Sequence, residues 1–150
     1  MSGASLPAQA AAQLAIRGVS RTFAGARGKP RTQALLPVDF DVRENDFVTI
    51  LGPSGCGKST LLRIVAGLDF PSSGQVLLGG APVAGPGADR GFVFQSYTLF
   101  PWLTVEQNIR FGLRERALPE AEQKERSDFF IAKVGLRGFE QHYPKQLSGG

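Results

Sequence analysis

The chain has 150 residues, 42% of them hydrophobic and 20% charged, with a formal net charge of +4. That length suffices for one domain with a buried core, and the longest apolar runs are broken by Gly, Pro or charge well short of the roughly 18 residues a membrane-spanning helix needs, which excludes a membrane-spanning chain. A single cysteine, Cys56, excludes an internal disulfide and fits a reducing compartment.

The first residues, "MSGASLPAQAAAQ", lack the charged head and continuous apolar stretch of a secretory signal and read as a small-residue, mobile tail over 1–12. "QLAIRGVSRTF", Gln13 to Phe23, has the β-branched and apolar content of a strand. No acidic residue precedes Asp39, whereas Arg17, Arg21, Arg27, Lys29 and Arg31 are basic; with no binding module beside them, "AGARGKPRTQ" reads as a solvated loop rather than a nucleic-acid site. "ALLPVDFDVREND" alternates Val38, Phe40 and Val42 against Asp39, Asp41 and Arg43, which predicts a second strand with a turn at Glu44 to Asp46. "FVTIL", Phe47 to Leu51, is continuously apolar and predicts a buried strand in the parallel part of a sheet.

"KSTLLRIVAG" places Leu61, Leu62, Val65 and Ala66 at helical spacing, with Gly67 as its C-terminal stop. The stretch around Val76 to Leu78 predicts a small hairpin or an edge region, and "GFVFQ", Gly91 to Gln95, another short buried strand. Thr104 with Gln107 three positions on forms a capping-box pattern, followed by Val105, Ile109 and Leu113 on one face. Pro119 heads a further helix with Glu120/Lys124 and Glu122/Arg126 four apart, ending near Gly135; Phe129, Phe130, Ile131 and Val134 predict burial of its second half. The pattern gives a strand-rich α/β part to about residue 96 and a helical part after it.

"GPSGCGKST", Gly52 to Thr60, lies between the apolar run and the helix, where Gly52, Gly57, Lys58 and Ser59 match the phosphate-loop pattern. Glycines let successive backbone N–H groups turn inward, and the helix start adds its own positive end. Lys58 reaches β and γ phosphates as a point charge, the Ser59 hydroxyl suits Mg²⁺, and Thr60 suits an α-phosphate. Cys56 reads as loop filler, because a nucleophilic cysteine needs a histidine base and the chain has only His142. Gln95 brings an amide to the end of its segment, suited to a metal or an attacking water, beside the apolar and aromatic "SYTLFPWLTV". There Tyr97, Leu99, Phe100 and Trp102 serve either packing or contact with another protein. "YPKQLSGG" closes the chain with a second anion cradle built on Ser148.

Together these motifs resemble the N-terminal portion of an ATP-binding-cassette (ABC) ATPase: "GPSGCGKST" looks like its Walker A loop, "FVFQ" its Q-loop and "LSGG" its signature. The run "GPGADRGFVFQSYTLFPWLTVEQNI" looks like the importer ATPases for nitrate, sulfonate and taurine. The resemblance implies an α/β P-loop fold of ABC type, a RecA-like core with an N-terminal antiparallel β part and a helical subdomain. Its divisions would be a tail over 1–12, an incomplete nucleotide-binding core over 13–96 and a helical subdomain over 97–150. It further implies that Phe23 stacks on adenine and that Gly52, Pro53, Ser54, Gly55, Cys56, Gly57, Lys58, Ser59 and Thr60 hold ATP. Ser59 and Gln95 would attend Mg²⁺, with Lys58 and Gln95 serving catalysis. Ser148, Gly149 and Gly150 would cap the γ-phosphate of ATP on a second ATPase subunit in a head-to-tail dimer. The partners implied are transmembrane permease subunits and, through them, a substrate-binding protein, with no nucleic acid; the place implied is the cytoplasmic face of the membrane, as a peripheral protein. The function implied is ATP-driven uptake of a small anion. The alternatives are a non-catalytic nucleotide-binding fragment and a soluble ABC ATPase of DNA repair or translation. The family's Walker B strand, catalytic glutamate and switch histidine would follow the signature. The 150 residues alone are therefore expected to be inactive, and His142, which precedes the signature, cannot be the switch and is expected to be exposed.

Overall fold

Sheet formation centres on β1 (Leu14–Phe23), which pairs antiparallel with β2 (Thr32–Val42) on one side and with β3 (Ser73–Leu78) on the other; β4 (Ala81–Pro82) adds to β3, giving the order β2-β1-β3-β4. The computed structural model describes residues 13–25, 30–96 and 98–147, and the chain divides into two units between Phe92 and Val93. The expected tail, Arg27, Lys29, Tyr97 and the Ser148–Gly150 cradle lie outside the described residues.

β1 is not a regular strand, and its irregularity builds the core. Gly18 adopts φ +57° and its N–H donates to the Asp39 carboxylate at 2.7 Å, while the pairing to β2 shifts register between Ile16 and Val19. A bulge of this kind lets residues three apart share a face, and Ile16 and Val19 are both fully buried. Opposite the bulge, a Cβ on Gly74 would collide with the Arg17 carbonyl and with Gly18, so only glycine permits β3 to approach so closely. The Ser20 hydroxyl, buried at the same strand, shares a 2.7 Å hydrogen bond with Ser73.

Against this sheet α1 (Lys58–Val65) lays Leu61 and Ile64, which with Ile16, Val19, Leu35 and Val76 form the core. Gly67, at φ +74°, ends the helix as expected, its N–H returning to Ile64 O at 3.0 Å. Leu62, expected on the apolar face, is exposed. Val38, Phe40 and Val42 are partly buried between exposed aspartates, as the alternation in β2 predicts.

Two expectations are corrected. Residues 47–51 form no strand: Ile50 packs on the core, but Phe47 is 95% and Leu51 86% exposed. Residues 91–95 form none either, with Val93 94% exposed and Phe94 only partly covered. An apolar run becomes a buried strand only when neighbouring strands and helices supply pairing and cover, and the sheet of described residues ends at β2 and β4.

In the second unit, α2 (Val105–Glu115) begins at the predicted capping box. Thr104 Oγ1 accepts from Gln107 N at 3.3 Å, and Gln107 Oε1 accepts from Thr104 N at 2.9 Å. The next two donors, Val105 and Glu106 N–H, reach the carbonyls of His142 and Glu140 at 2.9 and 3.0 Å. Asn108 organises the approach to the helix: its Oδ1 accepts from Phe100 N at 2.8 Å, and its Nδ2 faces the carbonyls of Phe100, Leu103 and Thr104 at 2.9–3.2 Å.

α3 (Glu120–Lys133) buries Gln123, Ser127 and Ile131, a row four residues apart. Phe129, Phe130 and Val134, expected to be buried, are exposed; the two rings lie edge to face at 5.4 Å, off that row. Glu122 pairs with Arg126 as expected, but Lys124 pairs with Asp128, while Glu120 is taken by Arg110 of α2. That hydrogen bond holds the Glu120 carboxyl below its usual range and raises Arg110, which also reaches Glu106 at 3.3 Å. His142, expected to be exposed, is partly buried, edge-on to Phe139 at 5.0 Å.

Candidate functional site

β2 delivers the chain to the glycine loop through a turn closed by the Asp46 carboxylate, which accepts from Arg43 N at 2.8 Å. The loop then runs from Gly52 to Gly57 into α1. Gly57 stands at φ +97°, and a Cβ there would collide with the Ala34 carbonyl of β2, so the last glycine both turns the loop and seats the helix start on the strand. The first intrahelical bond is Leu61 N to Gly57 O at 2.8 Å, which leaves the N–H groups of Lys58, Ser59 and Thr60 without an intrahelical acceptor. No side chain caps these donors and no acidic residue lies in the first turn. α2, by contrast, has its first donors met by the capping box and by the 140–142 backbone. The α1 start therefore presents backbone N–H groups and helix-dipole charge to the loop, an arrangement that attracts an anion.

Lys58 completes it. Its ammonium donates to the carbonyls of Gly52 and Pro53, each at 2.7 Å, and lies 3.6 Å from the Cys56 sulfur. The cation is thus folded across the mouth of the loop, bonded to exposed carbonyls that water can equally satisfy, and it is free to exchange them for phosphate oxygens. Ser59 is exposed and Thr60 partly buried at the helix start. The donors present fit a polyphosphate. Among the described residues no cluster of three His, Cys, Asp or Glu could hold a metal, and the Ser59 hydroxyl stands exposed at the helix start as an oxygen suited to a cation.

Cys56 is exposed on this loop, and a Cβ on Gly52 would stand 2.8 Å from its sulfur, so the thiol folds over the loop's own first residue. A bulky group on that sulfur would fill the cradle. A maleimide on Cys56 is accordingly expected to block MgATP, and MgATP to protect the thiol. At about a hundred times the dissociation constant the open loop falls to about 1% of the population and alkylation slows about a hundredfold. Equal labelling rates with and without saturating MgATP would place the thiol outside the site or show that the polypeptide does not bind the nucleotide.

The remaining expected site residues are distributed over the two units. Phe23 ends β1 in the first unit, 39% exposed, with the Arg21 guanidinium 4.6 Å from its ring centre. Gln95 belongs to the second unit and is exposed. In that unit Leu99 and Trp102 are also exposed, and Phe100 stacks at tilted angles on Trp102 and Phe111, with centroids 5.5 and 4.6 Å apart. Arg17 and Arg21 of the basic N-terminal run are paired, to Asp41 at 2.6 Å and Asp69 at 2.7 Å. Two contributors have no local sequence signal as strong as the loop's: Asn108, which ties the aromatic segment to α2, and Ser72, which binds the strand end that carries Phe23.

Comparison with known proteins agrees with this geometry. The ABC transporter family model matches residues 35–150. An uncharacterized ABC transporter ATP-binding protein of Methanocaldococcus jannaschii is 58% identical over 80% of this chain and 45% of its own length. The nitrate import ATP-binding protein NrtD of Synechocystis is 46% identical over 91% of this chain and 51% of its own. The taurine import ATP-binding protein TauB of Chromobacterium violaceum is 50% identical over 78% and 45%. The chain spans about half the length of the curated relatives it matches. Among solved structures, the dimeric ATP-binding cassette MJ0796 in a post-hydrolysis state bound to ADP and Pi superposes with a TM-score of 0.77 at 32% identity, over 90% of this chain and 63% of that one. With its α/β fold, its loop and a family match covering 116 residues, the chain belongs to the ABC transporter family.

Proposed function

We propose that this chain is the nucleotide-binding part of the ATP-binding subunit of an ABC importer, which couples ATP binding and hydrolysis to uptake of a small anion such as nitrate, a sulfonate or taurine. The observation that carries the reading is the glycine loop at the uncapped start of α1, with Lys58 held by carbonyls it can release. The substrate class follows from what the similar import proteins are named for.

In this reading the loop from Gly52 to Thr60 holds the phosphates on backbone N–H groups, and Lys58 leaves the Gly52 and Pro53 carbonyls for the β and γ phosphates. Phe23 stacks on the base. Mg²⁺ would supply charge neutralisation on the phosphates, and Ser59 and Gln95 would be the residues to attend it. Gln95 links that centre to the exposed Leu99 and Trp102, which are suited to contact a permease. Ser148, Gly149 and Gly150 serve ATP bound to a second ATPase subunit, so the working unit is a dimer on transmembrane permease subunits, fed by a substrate-binding protein. Among the described residues no helix is long and apolar enough to cross a membrane. The place proposed, from the likeness to import ATP-binding proteins, is the cytoplasmic face of the membrane, held there by the permease. Closure of the dimer positions water for in-line attack on the γ-phosphate, and reopening resets the transporter. The carboxylate that polarises this water comes from outside these 150 residues.

A strain lacking the gene, given nitrate as sole nitrogen source or taurine or an alkanesulfonate as sole sulfur source, is expected to fail on one of the three. Growth should return with the wild-type gene and not with Lys58→Ala. Undiminished growth and uptake on all three would overturn the substrate class.

A further inference from the structure

Phe23 does not stand alone at the end of β1. The Arg21 guanidinium lies over its ring, 4.6 Å from the centroid, and the same guanidinium is paired through Nη2 with the Asp69 carboxylate at 2.7 Å. Both charged side chains are mostly covered, 23% and 21% exposed, and Arg21 Nε is buried without a hydrogen-bond partner. Asp69 is itself fixed, since its Oδ1 also accepts from Phe70 N at 2.8 Å. Beside this pair the strand end is tied to the turn before β3. Thr22 N donates to Ser72 Oγ at 3.0 Å, that hydroxyl donates back to Thr22 O at 3.3 Å, and Ser72 N donates to Ser20 O at 2.8 Å.

These contacts do more than the sheet requires. Residues two apart on a strand share a face, so Arg21 and Phe23 are neighbours by geometry, but an arginine with six-atom reach could lie anywhere along that face. The Asp69 pair holds the guanidinium where it lies over the ring, 4.6 Å from the centroid. An unsatisfied buried Nε is costly, and it is tolerated here where the guanidinium gains the ring face and the carboxylate together. The ring is thereby held in one orientation while more than a third of the residue stays open to solvent. A phenyl ring held ready loses less rotational freedom when a flat partner stacks on it, and a cation on one face draws electron density from the ring, favouring an electron-rich partner on the other.

We propose that Arg21, anchored by Asp69, is a positioning residue that fixes the Phe23 ring as a platform for the purine of the bound nucleotide. The inference rests on the reading of Phe23 as the base-stacking residue. Arg21 is engaged by the Phe23 ring and the Asp69 carboxylate, so on this proposal its contribution belongs to the base and vanishes for a ligand that has none.

The test compares dissociation constants of the full-length protein for MgATP and for magnesium tripolyphosphate, which carries the phosphates without a base. Arg21→Met keeps the aliphatic stem and removes the charge. It is expected to weaken MgATP about fivefold and leave tripolyphosphate unchanged, with Arg21→Lys restoring most of the loss. Asp69→Asn, which leaves the arginine in place without its anchor, should weaken MgATP in the same selective way by a smaller factor, and it carries the test should Arg21→Met fail to fold. Equal weakening of both ligands would overturn the proposal, because it is what loss of structural support alone produces. Unchanged MgATP binding in Arg21→Met and Asp69→Asn, alongside a selective loss in Phe23→Ala, would overturn the role of Arg21 and leave the platform standing. An unchanged MgATP affinity in Phe23→Ala would overturn the platform itself, and the proposal with it.

Discussion

Lys58→Ala in the full-length protein is expected to lower its affinity for MgATP about a hundredfold while leaving its melting temperature nearly unchanged. The two effects separate because of where the ammonium sits. Its present partners are the carbonyls of Gly52 and Pro53, both on an exposed loop, and water replaces the lysine there at little cost. Its contacts with β and γ phosphates are charge-assisted on both sides, each worth roughly 1.5–3 kcal/mol, and two of them at the low end make about 3 kcal/mol, or a factor of about a hundred. Arginine is not expected to substitute, since its planar fork is larger than the point charge that the 2.7 Å bonds to two carbonyls accommodate. Calorimetric titration with MgATP, beside thermal unfolding of the same samples, decides it. An affinity close to wild type would mean that the backbone donors of Lys58, Ser59 and Thr60 hold the phosphates alone.

How much of this was legible in the sequence depended on whether the determining contacts were local. α1 and its glycine stop, the Thr104–Gln107 box and the alternation in β2 are set by residues close to one another in sequence, and these elements form where they were expected, although Leu62 of α1 faces solvent. The bulge at Gly18 depends on Asp39, twenty-one residues away, and periodicity carries no trace of it. Glu120 was matched with Lys124 by helical spacing, yet Arg110 of the preceding helix takes it, because an interhelix partner competes with an exposed i,i+4 pair worth only a few tenths of a kcal/mol. The i,i+2 spacing of Arg21 and Phe23 was available as a signal. What it lacked was Asp69, which only the fold brings to the pair. The misread strands, 47–51 and 91–95, are the extreme case. Their apolar character was read correctly and their environment was not, since a strand is a property of its neighbours.

A polypeptide of these 150 residues, expressed by itself, is expected to aggregate or to bind hydrophobic dyes, whereas one continued to the length of the relatives should be soluble and unfold cooperatively. Phe47, Leu51 and Val93 are almost wholly exposed, 95%, 86% and 94%, in segments whose backbone has no place in the β2-β1-β3-β4 sheet. Each large side chain left in water forgoes roughly 1.5–3 kcal/mol of burial, so three of them amount to about 5–9 kcal/mol, comparable with the whole stability of about 5–15 kcal/mol that a domain of this kind has. The same side chains offer apolar, extended segments for association with other copies. A charge substitution discriminates sharply, because its sign reverses with length. Phe47→Lys and Leu51→Lys should make the 150-residue polypeptide more soluble, since they remove exposed apolar surface at no cost in packing. In the longer polypeptide, where these positions are expected to be covered, each should lower stability by about 3 kcal/mol or more, because a charge is then buried without a partner. Size-exclusion chromatography and thermal melts on the two lengths read both signs. Lysine at position 47 or 51 leaving the longer polypeptide as stable as before would mean that this run faces solvent at every length, and that its apolar residues serve contact with another protein rather than the interior.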